Sequence, residues 1–387
     1  MDIKIVSSGV DTLIIGFMID SYRDVVDFEV LKEAKQKAGE KMFNKIGYPV
    51  TWFGTDFIIK ASGGSGYEWI IRNDDVMVRI AKEARSGNVF PEIYVTFFSQ
   101  FLWTEGMDGV MSKFIEWLNK WVVIRGTKVS RFDPCIDLAM QFPEIDIKNE
   151  LVTRARNKTE FTVPINQYMS GRRDIGYQIG SGDLLARIYD KTYEVVVSQK
   201  EWFRDYWIHK EWDGETPVVR SEFQCRRDFL KDMGVDTYEN MEERMADIWL
   251  YCTHKWLKIC YRGATTNQSR WKVKEFWEVI QDGFSLFGQA WGVLPYKVKK
   301  VQYEHLKKQA RGVMVSACAS LASGHGIHAA IFKTRREIKD IIMSEDFHND
   351  VIARIPLVGN MAKPDTHLVN EAIRLGAELI EVEFKDE

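Results

Sequence analysis

The chain has 387 residues, of which 45% are hydrophobic and 28% charged, with a formal net charge of −3. Those are ordinary values for a globular protein with room for two domains, and the core needs no staple. A slightly acidic total excludes a protein that coats nucleic acid by charge alone, although basic residues gathered on one face would be hidden in that total. Five Cys with no C-x-x-C spacing read as reduced thiols in a cytoplasm, not as a disulfide framework or zinc knuckle. The start, Met-Asp-Ile-Lys, carries no export or membrane signal, and the apolar run Leu13 to Ile19 is too short to cross a bilayer.

Taken in order, residues 9–20 read as a strand and 28–46 as a helix. Residues 50–60 and 66–72 read as a hairpin about Gly63-Gly64-Ser65-Gly66, 92–98 as a strand, and 106–123 as an amphipathic helix. A strand follows at 129–140, where Pro134 predicts an edge position or a bulge. A glycine-turn hairpin runs from Gly176 through Gly180-Ser181-Gly182, and 217–226 is the next long strand. Asp236-Thr237-Tyr238-Glu239 has capping-box spacing, and beyond it helical patterns dominate at 239–261, 273–290, 300–322, 334–343 and 366–380. The expected fold class is α+β: a mainly antiparallel sheet with helices on one side, forming a domain over 1–236, then a mostly helical region over 237–387.

Three strands carry charge on one face. Arg131, Asp133, Cys135 and Asp137 alternate in the first, with Phe132, Ile136 and Leu138 opposite. Arg220, Glu222, Gln224 and Arg226 share a face in the second, and Arg187, Tyr189 and Lys191 in the third. Buried carboxylates need a charged partner or a cation, but a structural Arg–Asp network on a solvated sheet face explains each strand alone equally well. Tyrosine is an uncommon nucleophile. With a pKa near 10, only roughly one phenol in a thousand is ionised at neutral pH, a deficit of about 4 kcal/mol. Arg187 and Lys191 would lower that cost by favouring phenolate.

The segments SRFDPCIDLA (130–139), GYQIGSGDLLARIYDKTYE (176–194) and VVRSEFQCRR (218–227), in that order after an opening GVDTLIIGF, resemble the plasmid and phage replication initiation factor family. That family includes staphylococcal-type rolling-circle initiators and relaxases of some integrative elements. The likeness spans about residues 9–230. It implies a tyrosine nucleophile at Tyr189, with Tyr193 in reserve and Tyr177 a weaker candidate. It also implies Mg²⁺ or Mn²⁺ held by Asp133, Asp137 and Glu222, with Glu194 either a ligand or the holder of a basic neighbour. Arg187, Lys191 and Arg220 would support the site. The expected function is DNA nicking and rejoining that starts rolling-circle replication; a conjugative relaxase and a non-catalytic origin-binding protein are the alternatives, and a hydrolytic nuclease is a third. The implied partners are single-stranded or hairpin origin DNA, a host helicase (the chain has no P-loop) and a second copy of the chain, with no membrane.

The His-hydrophobic-His motif of many nicking enzymes is missing; His325 and His328 are the closest pair and lack a third ligand. For DNA contact, Lys255, Arg262, Arg270, Trp271 and Lys272 form one basic and aromatic cluster, and Lys299 and Lys300 belong to a second. Solvated helix faces over an aromatic core explain the same pattern.

Overall fold

The computed structural model describes residues 3–43, 45–64, 66–83, 90–155, 165–170, 173–290, 310–322 and 326–344. Two long strands, β1 (Lys4–Tyr22) and β7 (Val122–Ala139), pair antiparallel along most of their length. Alternate residues of β1, Leu13, Ile15, Phe17 and Ile19, are buried, so this pair is the spine of the core. On one side of it lie β2 (Tyr48–Trp52), β3 (Thr55–Ile59), β4 (Trp69–Arg72), β5 (Val76–Ile80) and β6 (Ile93–Phe97). On the other lie β12 (Val218–Arg226), β11 (Leu184–Asp190), β10 (Arg173–Ser181) and β9 (Ile165–Ser170). The sheet of eleven strands runs β2-β3-β4-β5-β6-β1-β7-β12-β11-β10-β9, each neighbouring pair antiparallel. Residues 50–60 hold both strands of their own hairpin, with the turn at Phe53-Gly54, one step earlier than the glycine run suggests.

Helix α1 (Glu29–Ala38) buries Leu31, Ala34 and Ala38, one stripe at helical spacing. Helix α2 (Ser99–Leu118) buries Val110, Met111, Phe114, Trp117 and Leu118; it begins before the expected 106 because Gly106, at φ 71°, breaks it into two segments. A short α3 (Ile147–Glu150) leads into β8 (Leu151–Thr153), which pairs with β13 (Leu257–Ile259) in a separate two-stranded sheet. Helices α4 (Lys191–Ser198), α5 (Trp202–His209) and α6 (Arg227–Asp232) flank β11 and β12. Pro134 lies in a central strand, not at an edge, and the β1–β7 register slips between Val10 and Thr12 opposite it, so the bulge is the alternative realised.

Helix α7 (Tyr238–Leu250) has a capping box one residue later than the sequence spacing suggests, with Thr237 as cap and Asn240 as its partner. A π-type turn (Tyr251–Trp256) carries it into β13. These elements and α8 (Glu275–Asp282) belong to the sheet unit, Met1–Gln289, and the chain divides at 289/290, not near 236. The reason is aromatic: Phe223 of β12 meets Trp249 at 5.3 Å edge-on and Trp256 at 6.3 Å, so the sheet face opposite Glu222 is covered by residues beyond 236. In the second unit, Ala290–Glu387, the described residues form helices α9 (310–322) and α10 (Ile327–Ile342). The expected helix at 366–380 lies outside the described residues. All five Cys are free thiols, and no helix among the described residues is long and apolar enough to cross a membrane.

Phe223→Ala should therefore destabilise sheet and α7 together, by about 3–5 kcal/mol. Urea unfolding followed by far-UV circular dichroism and by Trp fluorescence should give one coincident, shifted transition; separate transitions would place α7 in another domain.

Candidate functional site

The three charged strand faces come together. Register places Tyr189 of β11 opposite Arg220 of β12, Arg220 opposite Asp137 of β7, and Asp137 opposite Ser7 of β1. The next row on the same face is Arg187, Glu222, Cys135 and Gly9. A face polar on every strand is stable only if its charges satisfy one another.

Arg220 is the centre, at 0% exposure. Its Nε and Nη2 donate to Asp137 Oδ1 and Oδ2 at 2.6 and 2.8 Å, and its Nη1 donates to Asp11 Oδ1 at 2.5 Å. The rings of Phe203 and Trp103 lie 4.8 and 4.9 Å from the guanidinium carbon. Asp137 also accepts from Ser7 Oγ at 2.8 Å and from Trp207 Nε1 at 3.0 Å. Its carboxylate is thus nearly saturated and buried, which makes it the anchor of Arg220 and corrects its expected place among the metal ligands.

Asp11 was not foreseen. Strand alternation does not single it out; it reaches the site because it is the extra residue of the bulge opposite Pro134. Burial raises its pKa, but Arg220, Lys191 and Lys200 together bring it below the usual value.

Tyr189 is half-buried, and its hydroxyl donates to Glu222 Oε2 at 3.1 Å. Glu222 Oε1 accepts from Arg187 at 2.8 Å, and Arg187 also donates to Gln224 at 3.1 Å. Burial, then the charge of Glu222, pushes the phenol well above the ordinary tyrosine range, with Arg220 opposing. The resting phenol is therefore protonated. This corrects the expectation that Arg187 and Lys191 would ready it, since each is tied to a carboxylate, and the cation that opposes the rise is Arg220. Burial and the charge of Asp11 raise Glu222. Asp133, fully buried and held by Arg131 Nε at 2.9 Å, is raised to about 7 by burial and by the charges of Glu222 and Asp11, against the pull of Arg131.

Lys191 opens α4 and is buried; its Nζ lies 2.6 Å from Glu194 and 4.5 Å from the Phe203 ring centre. Glu194 also meets Lys200 at 3.7 Å, so of its two expected roles it holds basic neighbours. Tyr193 is 44% exposed on α4. Tyr177 is buried on the opposite sheet face, stacked on Phe142 with its hydroxyl accepting from the Ile145 N–H, and is no part of the site.

Among the described residues no three His, Cys, Asp or Glu side chains form a ready set of metal ligands. The oxygens of Asp11, Asp133 and Glu222 suit a hard cation in kind. Burial disfavours the charged forms of Asp133 and Glu222, which a cation would relieve. Arg131 and Arg187 now cap these two acids.

The first DNA-contact cluster borders the two-stranded sheet. Lys255, Arg262, Arg270 and Lys272 are exposed; Arg262 donates to Asn149 and Lys272 pairs with Glu275. Trp271 is half-buried, and its indole N–H donates to the Thr265 carbonyl at 2.8 Å. Lys299, Lys300 and His325 lie outside the described residues; His328 is exposed on α10.

Two outcomes follow. Asp137→Asn should cost about 3–5 kcal/mol by leaving Arg220 buried without its main counter-charge, whereas Glu194→Gln should cost under about 1 kcal/mol; urea midpoints separate the two. Because the folded pKa of Asp133 is raised to about 7, its stabilising contribution is whole below about pH 4 and is lost as pH rises through 7. Asp133→Asn should flatten the fall in urea midpoint between pH 5 and pH 8.

No protein-family profile matches the chain, and no curated protein does. Among solved structures, a rolling circle replication initiator protein from Geobacillus stearothermophilus is similar at 17% identity, covering 73% of this chain and 97% of that one, with a TM-score of 0.40.

Proposed function

We propose that the chain nicks and rejoins a DNA strand by tyrosine transesterification to initiate rolling-circle replication, with Tyr189 as nucleophile. The observation that carries this reading is the Tyr189 Oη to Glu222 Oε2 hydrogen bond of 3.1 Å, on a face where all three charged motifs converge. A phenol whose proton already points at a carboxylate with a raised pKa has its general base in place.

In the reaction, Tyr189 Oη attacks the phosphorus as its proton passes to Glu222. The P–O3′ bond breaks, and the departing 3′ oxygen takes up that proton. The product is a 5′-phosphotyrosine and a free 3′-hydroxyl, which primes synthesis. The reverse attack reseals the strand without ATP, because the phosphodiester energy is kept in the covalent bond. Arg131 and Arg187, 25% and 32% exposed, are placed to trade their carboxylates for phosphate oxygens. Arg220, opposite Tyr189, steadies the oxygen as it loses its proton. Mg²⁺ or Mn²⁺, held by Asp133 and Glu222 with Asp11, would polarise a phosphate oxygen and orient the phosphodiester. The exposed cations around β13, at Lys255, Arg262, Arg270 and Lys272, would track the strand. A host helicase and a second copy of the chain are the further partners this reading implies.

The test is a labelled pool of single-stranded stem-loop DNA incubated with protein and Mn²⁺, then run on a denaturing gel. Wild type should give a protein-linked band. Tyr189→Phe should remove it by at least about 10³-fold, and Glu222→Gln should weaken it by about 10²–10⁴-fold. Tyr193→Phe should leave it intact. Cleavage that survives Tyr189→Phe would make water the nucleophile, and cleavage that survives a strong chelator would remove the metal from the account.

A further inference from the structure

β6 pairs with β1 only over Leu13–Phe17, so the flank of β1 away from β7 has no strand partner at Ser8–Val10. These residues line a cavity of about 410 Å³, within the range of small-molecule sites. Trp103 and Tyr206 line one part of it, and Met245 and Phe287 another. The break at Gly106 restarts α2 at Asp108, which also lines the cavity with Glu242. Those two acids share a hydrogen bond, and Tyr238 Oη donates to Asp108 at 3.4 Å. Trp103 is 6% exposed, and its indole N–H has no acceptor.

The lining therefore asks for a flat ligand. Aromatic rings offer stacking surfaces, two acids offer acceptors for adjacent N–H donors, and a buried indole N–H lacks an acceptor. Nucleobases that leave the stack are read in this way, by ring stacking and by hydrogen bonds to their edges. Guanine matches best: its N1–H and N2–H lie side by side and meet both oxygens of one carboxylate, and its O6 is an acceptor. Thymine has one ring N–H and no amino group.

We propose that this cavity receives one unstacked guanine of the single-stranded substrate, and so sets where the strand is cut. The inference rests on the nicking reading for its substrate. The two sites share a wall: the Trp103 ring that lines the cavity also lies 4.9 Å from the Arg220 guanidinium and packs on Gly9. A Cβ added at Gly9 would come within 3.1 Å of that ring, so the close approach depends on glycine. The guanine would be a near neighbour of the scissile phosphate.

The test uses the full chain and needs no cleavage. Titration calorimetry with dGMP, dIMP (which lacks the 2-amino group) and dTMP should show dGMP binding at least tenfold tighter than dTMP, with dIMP weaker than dGMP. Asp108→Asn should abolish the preference with the circular dichroism spectrum unchanged. Met245→Trp, which fills the cavity, should abolish dGMP binding and serves if Asp108→Asn does not fold. Equal affinity for dGMP and dTMP, or a preference that survives both substitutions, would overturn the proposal. Tyr189→Phe should keep the full preference, so loss of the nicking reading and loss of the guanine site give different results.

Discussion

The site depends on one buried cation. Arg220 has no contact with water, and a guanidinium in that position is tolerable only if its charge is answered on the spot. Asp137 answers it from the neighbouring strand and Asp11 from the bulge beyond, while aromatic rings close over it. Asp137 is in turn fixed by Ser7 of β1 and by Trp207 of α5. This knot ties β1, β7, β12 and α5 together and sets the register that brings Tyr189 beside Glu222. Mutual satisfaction of charge, not a hydrophobic contact, determines where the phenol stands.

Around that knot the charges lean toward the acid side. Asp133 and Glu222 carry raised pKa values, Tyr189 keeps its proton, and Lys191 is lowered by burial and by Arg220. Such a site rests in a state that a substrate phosphate and a divalent cation would change together. The phosphate draws Arg131 and Arg187 off their carboxylates, and the cation takes their place. Deprotonation of the phenol is then coupled to substrate arrival, which protects a reactive oxygen from idle ionisation.

Much of this was legible in the sequence, because strand alternation is a local property. The charged faces of 131–137, 187–191 and 220–226 could be read from period two alone, and Tyr189, Glu222 and Asp133 stand where that reading puts them. Register is not local, so the alternation could not say which acid answers which arginine; Asp137 therefore read as a ligand when it is an anchor. Asp11 escaped because a bulge breaks the alternation that would have revealed it, although Pro134 gave the hint of irregularity. Trp207 sits in a helix whose short span and mixed faces gave no clear period. The boundary near 236 was a true change of composition but not of packing, since Phe223 needs Trp249 and Trp256 to cover it.

The central claim is that the oxygen at position 189 becomes bonded to DNA. Peptide mapping by mass spectrometry of the protein recovered from single-stranded DNA and Mn²⁺ under denaturing conditions reads this directly. The account predicts a nucleotide mass on the fragment spanning 188–191, localised to the tyrosine. A nucleotide on Tyr193 or on any other residue, or cleaved DNA with every peptide unmodified, would contradict it.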